Sequence, residues 1–305
     1  MLIINTLIPI FLLISLGYLF KHLKFPDESF WKHLDKFNYF VLFPALLVYK
    51  LSSADIKDII SFDFIIVAAL ALFVVSVLIM LINKVVKFEN SSFTSIYQGA
   101  IRFNTYVFLA LSHAILSAES FVLAMLLITF IIPLLNILCI TIFSLYVPKN
   151  KITIVSFTKT VFKNPLIIAC LFGGLINLLG LEFPLLIENS LSILSAAALP
   201  LGLLSVGVGL HLSSIGSTKI AVSVSSFSKL ILLPIIMYAT CLVFELDNDT
   251  TILLVLFASM PTASSSYALA RELGGDLKLI SSIVSLQTIL SIFSISFILW
   301  VLNIG

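Results

Sequence analysis

The sequence predicts an all-α membrane protein with ten transmembrane helices in two inverted five-helix repeats. Three observations predict it: extreme hydropathy, an alternating placement of basic residues, and an internal offset that superimposes the two halves. Of 305 residues, 60% are hydrophobic and 10% charged, and the mean hydropathy is +1.20. A water-soluble domain carries about a quarter charged residues, so this composition excludes one. The apolar residues fall in blocks of about 17 or more, long enough to cross the ~30 Å hydrocarbon core of a bilayer as helices.

The first predicted segment, 2–20, is apolar with no basic residue before it, and Lys21 and Lys24 follow. A cleaved signal peptide has the opposite order, so the segment reads as a retained helix. Further segments are predicted at 35–53, 63–83, 95–117, 119–146, 164–181, 186–212, 217–244, 251–273 and 276–303. Only Ser117, Ala118, Glu119 and Ser120 separate the fourth from the fifth.

Basic residues test this division, because cytoplasmic loops hold the excess of Lys and Arg. Odd-numbered loops carry Lys21, Lys24, Lys32, Lys36, Lys84, Lys87, Lys149, Lys151, Lys159, Lys163, Lys219, Arg271 and Lys278. Even-numbered loops carry only Lys50 and Lys57, and the termini none. The alternation implies an even number of helices, with both termini on the non-cytoplasmic side of a cell membrane. Arg102 and Lys229 fall inside predicted helices.

An offset of 156 places Pro9 on Pro165, Gly17 on Gly173 and Pro44 on Pro200. The same shift carries the third segment onto the eighth and the fifth onto the tenth. With an odd number of helices per half, the second half enters the membrane from the other side, which makes the repeats inverted. The expected organisation is residues 1–147 as the first repeat, 148–163 as a basic cytoplasmic connector, and 164–305 as the second repeat. The connector interleaves its lysines with Ile152, Ile154, Val155, Phe157 and Phe162, a pattern that suits an interfacial segment or an ordinary loop.

In such carriers the solute binds near the midplane, where helices are interrupted. The strongest interruption is Ala258-Ser-Met260-Pro261-Thr262-Ala-Ser264-Ser265-Ser266. Pro261 removes an amide donor and frees carbonyls that the Thr262 and Ser264 hydroxyls are expected to satisfy. Subtracting 156 from Met260 gives Asn104, within Arg102-Phe-Asn104-Thr105-Tyr106, the most polar stretch of the fourth segment. Candidate substrate-binding residues are therefore Arg102, Asn104, Thr105, Pro261, Thr262, Ser264 and Ser265, with Pro44, Pro200 and Met260 at helix breaks. Arg102 reads either as an attractor of anions or as a member of an ion pair or a snorkelling side chain. Asn104 suits a carboxylate or amide, and also an interhelical tie. Lys229 reads as a gate or as a side chain reaching the membrane surface, and His113 as a proton shuttle or a structural histidine.

With those residues in place, the chain resembles the auxin efflux carrier family of membrane transporters, which includes bacterial permeases. The resemblance rests on Pro9-Ile-Phe through Leu16-Gly17-Tyr18, Phe40-Val-Leu-Phe-Pro44-Ala-Leu-Leu and Arg102-Phe-Asn104-Thr105-Tyr106 in the first half. The second half adds Lys163-Asn-Pro165-Leu, Ala198-Leu-Pro200-Leu, Met260-Pro261-Thr262 and Gly274-Gly275-Asp276. The resemblance implies the ten-helix inverted fold, with helices four and nine broken where they cross and with Asn104 and Pro261 at that crossover, bordering the substrate. The chain departs from the family pattern at Phe108-Leu109-Ala110, where Gly and Pro often stand. Family members move organic anions.

The function expected is secondary transport of a small organic anion, a carboxylate, by alternating access. A channel or solute sensor on the same scaffold is the alternative. An intramembrane enzyme is disfavoured, since HExxH is absent and Gly274-Gly275-Asp276 lacks a GxGD spacing. No Walker A motif offers ATP coupling, no basic run points to nucleic acid, and Cys139, Cys170 and Cys241 sit singly in apolar blocks without metal-ligand spacing. No cofactor is expected. Partners are the anion and the lipid bilayer; proton or sodium coupling and a homodimer are compatible with the pattern.

Overall fold

The computed structural model describes residues 2–54, 62–147, 164–212 and 219–302. Among them every regular element is helical. The first is α1, Leu2–Leu23. The next rod begins at α2, Glu28–Phe37, passes through a π-helical turn at Asn38–Leu42, and continues as α3, Phe43–Ser52. Hydropathy placed its start at 35 because the first turns are charged. They form nonetheless, with Asp27 capping the Phe30 amide at 3.1 Å and Lys32 pairing with Glu28 at 2.8 Å, one turn apart.

After α4, Asp63–Val86, the chain makes two half-helices, α5 (Asn90–Ile101) and α6 (Thr105–Ile115). The long α7, Ala118–Tyr146, follows. Beyond the expected connector, which lies outside the described residues, come α8 (Pro165–Leu178) and α9 (Leu185–Val208). Another rod runs through α10 (Lys219–Phe227), a π turn at Ser228–Leu232 and α11 (Leu233–Val243). A second pair of half-helices, α12 (Asn248–Ser259) and α13 (Ser265–Leu273), precedes α14, Leu277–Val301.

Six of these rods are long and apolar enough to cross a bilayer: α1, α4, α7, α9, the α10 to α11 rod and α14. At 1.5 Å per residue, the 24 residues of α4 reach about 36 Å. Their outer faces are apolar, with Leu12, Phe73, Leu186 and Phe293 exposed, and the interior is rich in Ser, Thr and Gln. Such a distribution suits lipid outside and hydrogen-bonded helix contacts inside.

Both π turns have the same cause. Each is followed directly by a residue and a proline, Phe43-Pro44 and Leu233-Pro234. A proline ring crowds the carbonyl four residues before it, and the ladder relaxes into an i to i−5 register. The Phe43 amide thus donates to Asn38 O and the Leu233 amide to Ser228 O. Tyr39, which lines a cavity, and the buried Lys229 both stand in these π turns.

Glycines allow two close helix crossings. A Cβ at Gly17 of α1 would lie 2.0 Å from the Leu204 carbonyl oxygen of α9, and one at Gly173 of α8 would lie 3.1 Å from Val48 Cα of α3.

Candidate functional site

The two breaks meet. Residues 102–104 are extended between α5 and α6, and 260–263 leave helical geometry before α13. The Asn104 amide donates to the Pro261 carbonyl at 2.8 Å. Phe257 O, the carbonyl four residues before Pro261, accepts from the Met260 amide at 3.3 Å and not from the hydroxyl of Thr262, while Pro261 O is met by the crossing chain. The Thr262 hydroxyl likewise donates across to Gln98 O at 3.3 Å. Gln287 of α14 completes the junction, accepting from the Thr262 amide at 3.0 Å and donating to Gly99 O at 2.9 Å. Irregular backbone at membrane depth is tolerated only with such partners. Phe108, Leu109 and Ala110 do not prevent the first break, because Asn104 caps the new helix: its side-chain oxygen accepts from the Tyr106 and Val107 amides at 3.1 and 3.2 Å.

Beside this junction lies a cavity of about 220 Å³, walled by Tyr39, Arg102, Thr105, Asn136, Asn164 and Ser265 among others. At ~30 Å³ per water, that is room for about seven waters or one small ion with part of its shell. A second cavity of about 860 Å³ shares Tyr39 and Ser265 with it and is lined by Lys21, Lys24 and Asp35 toward its other end. The small chamber therefore adjoins a larger vestibule lined by Lys21 and Lys24 at the end of α1.

The polar wall is built from helix starts. Thr105 opens α6, Ser265 opens α13, and Asn164 caps α8 by accepting from the Leu166 amide at 2.9 Å. Helix N-termini carry partial positive charge and favour anions. Arg102 adds a full one. Its guanidinium donates to Asn136 Oδ1 at 3.1 Å and Ser265 Oγ at 3.3 Å. Among the described residues no carboxylate lies within ion-pair reach of it.

The candidate residues thus separate into groups. Arg102, Thr105 and Ser265 share the small cavity. Asn104, Met260, Pro261 and Thr262 are buried in the junction behind it. Ser264 faces the vestibule. Pro44 and Pro200 line neither cavity: Pro44 follows the π turn that carries Tyr39, and Pro200 sits exposed within the unbroken α9. His113, at the far end of α6, stacks edge-on against Phe121 with centroids 5.1 Å apart and does not reach the junction.

Lys229 does not reach the membrane surface. It is wholly buried, and its Nζ, without a hydrogen-bond partner among the described residues, lies 5.8 Å from the centroid of the Phe257 ring. Phe257 lies in the last turn of α12 and packs edge-on against Phe103 of the junction, with centroids 4.7 Å apart.

Tyr39, Asn136, Asn164 and Gln287 were not singled out from the sequence. Asn164-Pro165 carries the signature of a cap followed by proline in the first turn. Asn136 and Gln287 are polar residues inside long apolar segments, itself a functional signal in membranes. Nothing local marks Tyr39.

Residues 148–299 match the family described as Membrane transport protein. The chain is 24% identical, over 318 residues covering 99% of it and 96% of the relative, to a protein of Rhizobium meliloti (strain 1021) described as "Putative malonate transporter". The near-complete coverage, the order of motifs along the chain and the apolar helices agree. These findings support a multi-pass membrane transporter, a permease of the auxin efflux carrier type of membrane transport protein.

Proposed function

We propose that the protein is a secondary transporter that carries a small organic anion, a carboxylate, across the cell membrane by alternating access. One observation carries the reading: a chamber of about 220 Å³ at the crossing of two broken helices, where three helix N-termini and an Arg102 without a carboxylate partner converge. Its size suits a short-chain acid, and the relative named for malonate belongs to the same chemical class. In this reading Arg102, Thr105 and Ser265 meet the carboxylate, while Asn104, Met260, Pro261 and Thr262 build the junction that positions them. Ser264 stands where the chamber meets the vestibule.

The ten-helix inverted repeat is part of the proposal. Shifting α4 by 156 gives 219–242, against Lys219–Val243 for the rod from α10 to α11. The two glycine crossings also support it. Gly17 touches Leu204 and Gly173 touches Val48, and 156 separates both 17 from 173 and 48 from 204. Reciprocal contacts of this kind are what a two-fold relation between halves 1–147 and 164–305 produces. The family match, residues 148–299, nearly spans the second half. Both termini are assigned to the non-cytoplasmic side, which makes the vestibule lined by Lys21 and Lys24 the inward path.

Uptake of radiolabelled acetate, lactate, malonate and succinate into proteoliposomes tests the reading. The expected result is saturable uptake with counterflow for at least one acid, and a KM raised about tenfold or more by Arg102→Ala. Absence of saturable uptake for every acid, or conductance without saturation, would overturn it.

A further inference from the structure

We infer that Asn136 sets the charge selectivity of the chamber: it holds the Arg102 guanidinium with a neutral oxygen, leaving the full positive charge of Arg102 for a transported anion. The inference rests on the carboxylate reading above and adds a residue outside the junction, on α7, to it.

A guanidinium within a membrane is ordinarily paired with a carboxylate or directed to water. Arg102 is anchored on both flanks by uncharged acceptors, Asn136 Oδ1 at 3.1 Å from α7 and Ser265 Oγ at 3.3 Å from the start of α13. Arginine has donors only, so the Asn136 amide must present its oxygen to it. The amide nitrogen, with two donors of its own, is then turned away from Arg102, and among the described residues it donates to none. Asn136 thereby contributes no negative charge where an aspartate of nearly the same shape would contribute one.

The electrostatic surroundings leave this choice decisive. The titratable or charged groups walling the chamber are Arg102 and Tyr39, with no Asp or Glu among the lining residues. On α7 the buried Cys139 lies one turn beyond Asn136. Acidic groups appear only in the adjoining vestibule, as Asp27, Glu28 and Asp35, alongside Lys21, Lys24, Lys32 and His211. A carboxylate at 136 would form a forked pair with Arg102 and cancel the charge that the substrate meets.

Two variants separate charge from packing. Asn136→Asp keeps shape and hydrogen bonding; Asn136→Leu removes the anchor and adds no charge. In proteoliposomes at neutral pH, Asn136→Asp is expected to raise KM for the transported acid at least tenfold, with a ligand-free melting temperature at or above that of the wild type. Asn136→Leu is expected to raise KM by less. Wild-type KM in Asn136→Asp overturns the inference, as does equal impairment of the two variants, which would make the residue merely structural. If the wild type transports none of the acids, the carboxylate reading itself fails. If it transports one while Asn136→Asp is unimpaired, only the selectivity assignment fails.

Discussion

The amide of Asn104 donates to the carbonyl of Pro261 at 2.8 Å, so each broken helix supplies a partner that the other's break leaves wanting. Two interruptions that would each be costly in hydrocarbon become tolerable where they cross. The crossing also fixes the geometry of the site, because Arg102 and Thr105 flank Asn104 as Ser265 follows Pro261. A mutation at the junction should therefore act on stability and transport together.

Gln287→Leu tests the junction. The side chain satisfies the Thr262 amide and the Gly99 carbonyl, both away from water. Leaving two buried backbone groups without partners costs about 2 kcal/mol or more. The variant is expected to melt several degrees lower in detergent and to lose most transport; an unchanged melting temperature would contradict the clamp.

Gly17→Ala and Gly173→Ala should differ in severity. At Gly17 the new methyl meets a backbone oxygen at 2.0 Å, and that oxygen moves only if α1 and α9 separate. At Gly173 the nearest atoms stand at 3.1 Å, and a shift of a few tenths of an ångström suffices. Overpacking of the first kind costs about 1–3 kcal/mol. Thermal melting should show a clear loss for Gly17→Ala and a smaller one for Gly173→Ala.

Lys229→Met is expected to leave stability unchanged or raise it, since Nζ has no hydrogen-bond partner to lose among the described residues and methionine fills similar space. A fall in melting temperature of more than about 2 °C, roughly 1 kcal/mol for a chain of this size, would show that the amine stabilises the fold after all.

Arg102→Lys keeps the charge and loses the fork. One ammonium cannot bridge Asn136 on α7 and Ser265 on α13 with the planar geometry of a guanidinium. Carboxylate KM should rise about threefold to tenfold, less than for Arg102→Ala, with little change in melting temperature. Equal KM values for lysine and arginine would mean that charge alone is recognised.

Hydropathy and charge alone determined that this chain lives in a bilayer and roughly where its segments begin and end, because lipid imposes length and side-dependent composition on every crossing. Proline and polar residues in apolar runs marked Arg102, Asn104 and Pro261 as neighbours of an interruption. Only the tertiary structure decided what those residues do. Asn104 turned out to cap α6 because a free helix end 2% exposed to solvent must find its partner within the chain. Lys229 lies inside rather than at the surface because the helix carrying it packs that face against Phe257 of α12, a contact that local composition does not encode. Asn136 and Gln287 sit 34 and 185 residues from Arg102, and nothing in sequence spacing joins them to it. The folded chain brings them together because buried donors and acceptors must be matched across whichever helices happen to pack.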